Sequence, residues 1–385
     1  TTQPLQAYGQ FLFVARRRPH STAIWFVKID REARPTMTSL WRTVLGARLL
    51  AVRAADADTL LCLTEEGYLF HVGRNELGRG GFRVRADAQI QYPEDLAEPV
   101  RAVVLPDGQI VVACGAPEPT LWLLNAQGQV RREIPLDEPL EADPIPLGRG
   151  LVLPFAGKLG YQGTETRRSR VEGYTAPVKD QEKAPRWVGG AFVDQAETVI
   201  ADSQGTVLKI QYRTSPQPHL YAAAKWSAGA PIDVPPAAYR DWIIVADSTG
   251  RLRLLHRSNF EPLGEVKLPA AVSGRLHLVE DRLLIEIGQT QLLCFRLGRE
   301  LKQLWAMPLK GQGLADRPLL VDGQMVFAER SGRVCRVQPE TGKVTAETMI
   351  DQAIDRGPRQ LGNDLFVATI DGSLYRIAWK GPAKE

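Results

Sequence analysis

One pattern recurs along this chain and limits what it can become: a short apolar strand, a turn closing on glycine, then a strand of alternating apolar and polar residues. It is written in Val326–Val337 (VFAERSGRVCRV), Ile244–Leu255 (IVADSTGRLRLL), Val199–Ile210 (VIADSQGTVLKI), Phe366–Ile377 (FVATIDGSLYRI) and Leu61–Val72 (LCLTEEGYLFHV). Taking the apolar strand as strand b of an a-b-c-d unit, its starts fall near Phe11, Leu60, Ile110, Leu151, Thr198, Trp242, Leu283, Met325 and Leu365. Successive starts differ by 49, 50, 41, 47, 44, 41, 42 and 40 residues. A period of ~40–50 residues built of paired strands, without helical periodicity, defines a β-propeller of four-stranded blades.

The fold expected is therefore all-β: a single β-propeller domain over residues 1–379, with a polar tail at 380–385. Its units begin near residues 1, 47, 98, 140, 189, 232, 273, 314 and 354. Each strand b is preceded by a short strand a and a tight turn, as in Pro318–Gly323 and Val103–Gly108, where Asp-Gly suits positive φ. Pro4–Gly9 fits the same template, so the first unit reads as a repeat from its strand a onward. Alternation in Arg251–Leu254 predicts a half-buried strand c. Outer strands are expected at Leu40–Leu45, Val130–Ile134, Leu263–Leu268 and Leu304–Met307, after links such as Glu340–Lys343.

Nine a-b-c units but eight following d strands can be counted. The spacing favours nine blades, the last lacking its outer strand or borrowing one from upstream. Eight blades with one irregular unit is the alternative. The irregular unit would then be Leu151–Val188, read with a b–c connection through GKLGYQGTETRRSR and strand c at Val171–Thr175. Trp41, Trp187, Trp226 and Trp305 fall near the outer position, where an indole serves better as a packing anchor between blades than as a substrate platform.

Composition fits a folded domain: 44% hydrophobic and 24% charged residues exclude a disordered chain. With 48 basic and 44 acidic residues the net charge is only +4, which argues against a nucleic-acid partner. No apolar run approaches the ~20 residues of a membrane helix, and the opening TTQPLQAYGQ has no signal-peptide pattern. Cys62, Cys114, Cys294 and Cys335 are far apart, form no CxxC, and fall in expected strands where a thiol acts as a small hydrophobe.

At the level of the hairpins the chain resembles the pyrroloquinoline-quinone-like propeller family. Its unit pairs a VxxxxxDGxLxxL hairpin with a TGxxxW outer strand. FVATIDGSLYRI, VFAERSGRVCRVQPETGKV and IVADSTGRLRLL match the hairpin, and LWRTVLG and LWAMPLK supply outer tryptophans. The resemblance covers nearly the whole chain. It implies a propeller and, for the family, both quinoprotein dehydrogenases and non-catalytic scaffolds such as the outer-membrane assembly lipoprotein propeller; it also implies a bacterial, periplasmic or extracytoplasmic location. The dehydrogenases' adjacent cysteine pair and calcium-binding carboxylate set have no counterpart here. No cofactor is therefore expected.

Catalytic motifs give no support for an enzyme. GxSxG is absent, and His20, His71, His219, His256 and His277 fall in different units. Candidate partner-binding residues are Arg16, Arg17 and Arg18 in the first b–c connection, with Lys158, Tyr161, Arg167, Arg168 and Arg170 in the fourth unit. If all b–c loops share one face, both arginine clusters lie on one rim, where guanidinium forks can hold oxyanions. The plainer reading is solvated loop arginines. The function expected is a non-catalytic scaffold or interaction module that binds a protein or polysaccharide through a loop face or the channel. The chain would be a monomeric domain, on its own or within a longer chain. Two alternatives stay open: a quinone- or metal-dependent oxidoreductase with its site at the channel mouth, and an extracytoplasmic sensor or carbohydrate-binding module.

Overall fold

The computed structural model describes residues 6–8, 11–17, 22–28, 39–74, 82–93, 96, 100–165, 171–177, 184–362 and 364–378. Eight four-stranded antiparallel sheets follow one another around a closed ring. Their inner strands, blades 1 to 8, are Leu49–Ala54, Arg101–Val104, Ile145–Leu147, Trp187–Phe192, Ala237–Tyr239, His277–Val279, Leu319–Val321 and Ile354–Leu361. The b strands start at Thr59, Ile110, Gly150, Glu197, Trp242, Arg282, Gln324 and Asp364, each within one residue of its expected place.

Burial explains the apolar runs. Strands b and c are sandwiched between neighbouring blades, so Ile110–Cys114 and Arg333–Val337 are buried throughout. Outer strands such as Val130–Pro135 are mostly exposed. Strand c of blade 5 is more buried than its alternation predicts, because Arg253 is taken inward by an ion pair with Asp247. Eight hydrophobic clusters each join two neighbouring blades, and the one uniting Phe366, Ala368 and Leu374 with Leu49, Leu60 and Cys62 closes the ring.

That closure overturns the expectation of nine blades. Strand Ser39–Val44 pairs with Ser373–Ala378, in the register Ser373↔Val44 and Leu374↔Thr43, and becomes the outer strand of blade 8. Gln6–Tyr8, Phe11–Arg17 and Thr22–Lys28 form a three-stranded sheet of their own that, among the described residues, pairs with no blade strand. A d strand has one edge to give. Here it completes the open edge left by the last strand c, so the first unit has no outer strand among the described residues and the ring holds eight. Spacing counts hairpins and is blind to which edge takes the d strand.

The fourth repeat unit is a regular blade with a reduced outer strand. Gly150–Phe155, Lys158–Gly163 and the two-residue Tyr174–Thr175 are its strands b, c and d. The expected long b–c connection is really a two-residue turn, Ala156-Gly157. The sequence misleads because Gly157, Gly160 and Gly163 read as loop although two of them lie in strand c.

The glycine at the end of the recurring pattern is required twice over. Gly67, Gly205, Gly250, Gly332 and Gly372 all have positive φ. A Cβ on any of them would run into the carbonyl of Ile90, Ala230, Ala270, Ile350 or Ala47 in the connection leading to the next blade. Each glycine carbonyl also accepts a hydrogen bond from that connection, as from Ile350 N at 2.9 Å in blade 7. The motif is the hinge between successive blades, which is why it repeats.

Candidate binding site in the central channel

Strands run a down, b up, c down, d up, so b–c turns and d–a connections emerge on one face, hereafter the upper face. The a–b and c–d connections emerge on the other. Inner strands of all blades line the channel, and two contiguous cavities occupy it, about 870 and 930 Å³. The larger opens among the upper connections and the smaller continues toward the lower face.

The arginines of the wall come from blades 1, 6, 7 and 8, and its apolar residues from blades 2 to 4 and from blade 7 beside Arg317. Val103, Val104, Phe192, Leu319, Leu320, Pro106, Pro144, Pro146 and Pro318 supply the apolar part. Arg53, Arg275, Arg317, Arg330, Arg356 and Arg359 line the cavities, against the carboxylates Asp143, Glu280, Glu286 and Asp316. Glu286 is committed elsewhere: it accepts the Leu314 N–H at 3.0 Å and stands 3.7 Å from His277.

Blade 8 places its arginines by an irregular inner strand, bulged at Ile354/Arg356 and again at Arg356/Arg359 around Gly357-Pro358. Arg356 Nε donates to Leu50 O at 3.1 Å and Arg359 Nε to Val52 O at 2.8 Å, so both satisfy carbonyls on the edge of blade 1. Arg48 of blade 1 returns a two-pronged bond to Asp355, 2.9 Å on each arm. Guanidinium groups therefore tie the closing seam on its channel side.

Arg317, in the connection into blade 7, donates through Nε to Leu278 O at 2.8 Å. Its neighbour Asp316 takes Arg359 Nη2 at 2.6 Å and the Gly357 N–H at 3.3 Å. Asp316 also accepts the Arg317 backbone N–H at 2.7 Å, so of the two guanidinium groups only that of Arg359 is paired with it. Burial in the channel and then the adjacent Arg359 charge lower the Arg317 pKa, which Asp316 only partly offsets. Burial likewise lowers that of Arg53, whose terminal nitrogens bond Ala54 O at 2.8 Å and Ala126 O of blade 2. Above these, Arg275 of blade 6 reaches across the mouth to Asp143 of blade 3 at 2.7 Å.

The residues singled out from sequence are not gathered here. Arg16 and Arg17 end the second strand of the separate three-stranded sheet, opposite Ala23 and Thr22. Arg18, Arg167, Arg168 and Arg170 lie outside the described residues. Lys158 and Tyr161 are on strand c of blade 3, Lys158 paired with Glu138 at 2.7 Å and Tyr161 stacked on Tyr212 at 4.9 Å. The shared b–c rim is thereby corrected: the b–c turn of this blade is only Ala156-Gly157, and Lys158 and Tyr161 belong to strand c. Of the tryptophans, Trp226 and Trp305 are on outer strands, and Trp305 is buried between blades 6 and 7 with Nε1 donating to Pro339 O at 2.8 Å. Trp187 instead opens the inner strand of blade 4.

The channel arginines Arg53, Arg275, Arg317, Arg356 and Arg359 do not stand out in the sequence, because they lie in inner strands and connections and not in b–c turns. Their signal was available: Asp316-Arg317-Pro318 and Arg356-Gly-Pro-Arg359 lie just before or within inner strands, where charge faces the axis. The four described histidines, His71, His219, His256 and His277, stand on blades 1, 4, 5 and 6. All four cysteines are free and buried; burial pushes the thiols of Cys62, Cys294 and Cys335 up to about 12. No helix among the described residues is long and apolar enough to cross a membrane.

No protein-family model matches the chain, and no curated protein matches it. Solved structures do. BamB from Moraxella catarrhalis aligns over 89% of this chain and 99% of its own, with 14% identity and a TM-score of 0.62. The C-terminal WD40 domain of Sif2 aligns over 90% and 99%, with 13% identity and a TM-score of 0.65. Sqt1 of Saccharomyces cerevisiae aligns over 88% and 98%, with 10% identity and a TM-score of 0.64. At such identities the likeness is one of fold: the chain is a β-propeller repeat protein.

Proposed function

We propose that the protein is a non-catalytic interaction module that takes a partner protein on its upper face, around the channel mouth. The observation that carries this reading is the open mouth itself. Every blade contributes to it, through inner strands or connections, and Arg275, Arg317, Arg330, Arg356 and Arg359 line it against the acids Asp143, Glu280, Glu286 and Asp316. Charged groups held by a rigid ring can recognise a partner without rearranging, which limits the ordering cost of binding. The hairpin resemblance supports a place among the pyrroloquinoline-quinone-like propellers, on their scaffold side.

The reading is tested by affinity capture from extracts of the source organism. Arg275→Glu with Arg330→Glu reverses charge on the upper face, whereas Lys225→Glu with Lys302→Glu does so on outer strands. Partners lost from the first pair alone are the expected result. Equal capture by both would end the proposal.

A further inference from the structure

We infer that the channel receives an extended acidic peptide segment of the partner, with apolar residues flanking its carboxylates. This deepens the upper-face reading and rests on it. Asp316 pairs with the Arg359 guanidinium and meets Arg317 only at its backbone N–H, and both arginines line the same cavity as Arg53. Arg317 spends only Nε on the protein, at Leu278 O, so its terminal nitrogens are the donors left for a ligand. Like charges held together beside a cavity repel, and an anion between them relieves that repulsion.

The walls decide which anion. Val103, Val104, Phe192, Leu319 and Leu320 face the same space, and Val104 is 41% exposed. A free phosphate or a sulfated sugar is hydrated and gains nothing from such a wall. A peptide alternating carboxylate and aliphatic side chains presents them to opposite sides, since side chains of an extended chain alternate every residue. It would set acids against the arginines of blades 7 and 8 and aliphatics against Val103, Val104 and Phe192 of blades 2 and 4. A cavity of about 870 Å³ is in the range that encloses a ligand of several residues or a large organic molecule.

The test is fluorescence anisotropy with a short labelled peptide alternating Glu and Leu, titrated with the intact protein at low salt. Saturable binding is expected, weakened about tenfold or more by Arg317→Glu, largely kept by Arg317→Lys and unmoved by the outer-strand variant Lys302→Glu. Thermal melting of each variant reports whether the ring persists. Inorganic phosphate should not displace the peptide beyond its ionic-strength effect. Equal loss in Lys302→Glu would mean diffuse attraction and would overturn the inference. So would binding of a sulfated polysaccharide with the same arginine dependence while the peptide fails to bind. Should the peptide fail and upper-face reversal still abolish partner capture, the acidic segment is refuted and the face retained.

Discussion

Arg253 donates to Asp247 at 2.7 Å inside blade 5, and the carboxylate it meets has no exposed side-chain surface. Arg253 also holds Glu265 at 2.7 Å and lies 5.5 Å from the Trp226 ring of the preceding blade. Blade 7 uses a similar arrangement, Glu329 to Arg333 at 2.9 Å and Arg333 to Glu347 at 2.6 Å. Such a pair adds little over a well-packed apolar pair, but breaking it strands a charge in the interior. Arg253→Ala should therefore destabilise the protein by about 3–5 kcal/mol in chemical denaturation. The double change Arg253→Met with Asp247→Leu should recover most of that loss.

The same carboxylate fixes a pH dependence. Burial pushes the Asp247 pKa up, but the Thr249 hydroxyl, the Arg251 N–H and the Arg253 guanidinium pull it further down, and the balance lies below the usual value. A lowered folded pKa gives stability that is present above about pH 4 and lost as pH falls through the folded value. Thr249→Val removes a 2.6 Å hydrogen bond, so acid unfolding should begin at a higher pH. An unchanged acid midpoint, followed by circular dichroism, would show that Asp247 does not govern it.

Two glycines with left-handed backbone separate strain from collision. Gly323 has φ +70° and open space where a Cβ would sit, whereas Gly332 has φ +96° and the Ile350 and Gln352 carbonyls there. Gly323→Ala should cost only the conformational penalty, about 1 kcal/mol. Gly332→Ala must also move the connection between blades 7 and 8, and should cost at least twice as much in the same denaturation experiment. Equal losses would mean that the hinge yields freely.

Closure by Ser39–Val44 predicts two unlike truncations. Removing residues 1–38 takes away the three-stranded sheet, which among the described residues pairs with no blade strand, and should leave the melting temperature nearly unchanged. Removing residues 1–44 also strips the outer strand from Ser373–Ala378 and exposes the edge of blade 8. That form should melt several degrees lower and associate through its open edge in size-exclusion chromatography.

The hairpins were legible in the sequence because each unit repeats the same local physics: two buried strands and a glycine demanded by its turn and by the next connection. Ile110, Trp242 and Met325 fall where the apolar runs place them. The blade count was not legible, since pairing of Thr43 with Leu374 joins residues from opposite ends of the chain. Nor was the site. Arg53, Arg275, Arg317 and Arg359 come from blades 1, 6, 7 and 8, and only the curvature of the ring brings them to one cavity. Arg16 and Arg17 attracted notice because they are adjacent in sequence, which says little about which charges meet in space.

The ion pair across the mouth gives the last prediction. Arg275 and Asp143 meet at 2.7 Å although they start blades three positions apart, and the arginine side chain is 70% exposed. An exposed pair of this kind contributes about 0–1 kcal/mol, so it opens readily and its loss leaves the ring intact. While closed, Asp143 occupies a guanidinium that an incoming acidic segment would otherwise use. Asp143→Ala should therefore strengthen binding of the Glu-Leu peptide by up to about fivefold, the equivalent of 1 kcal/mol. Arg275→Ala should weaken it, and the double variant should resemble Arg275→Ala alone, because Asp143 acts only through its partner. If anisotropy titrations show Asp143→Ala binding more weakly than wild type, the carboxylate positions the ligand instead of competing with it, and the pair is part of the site.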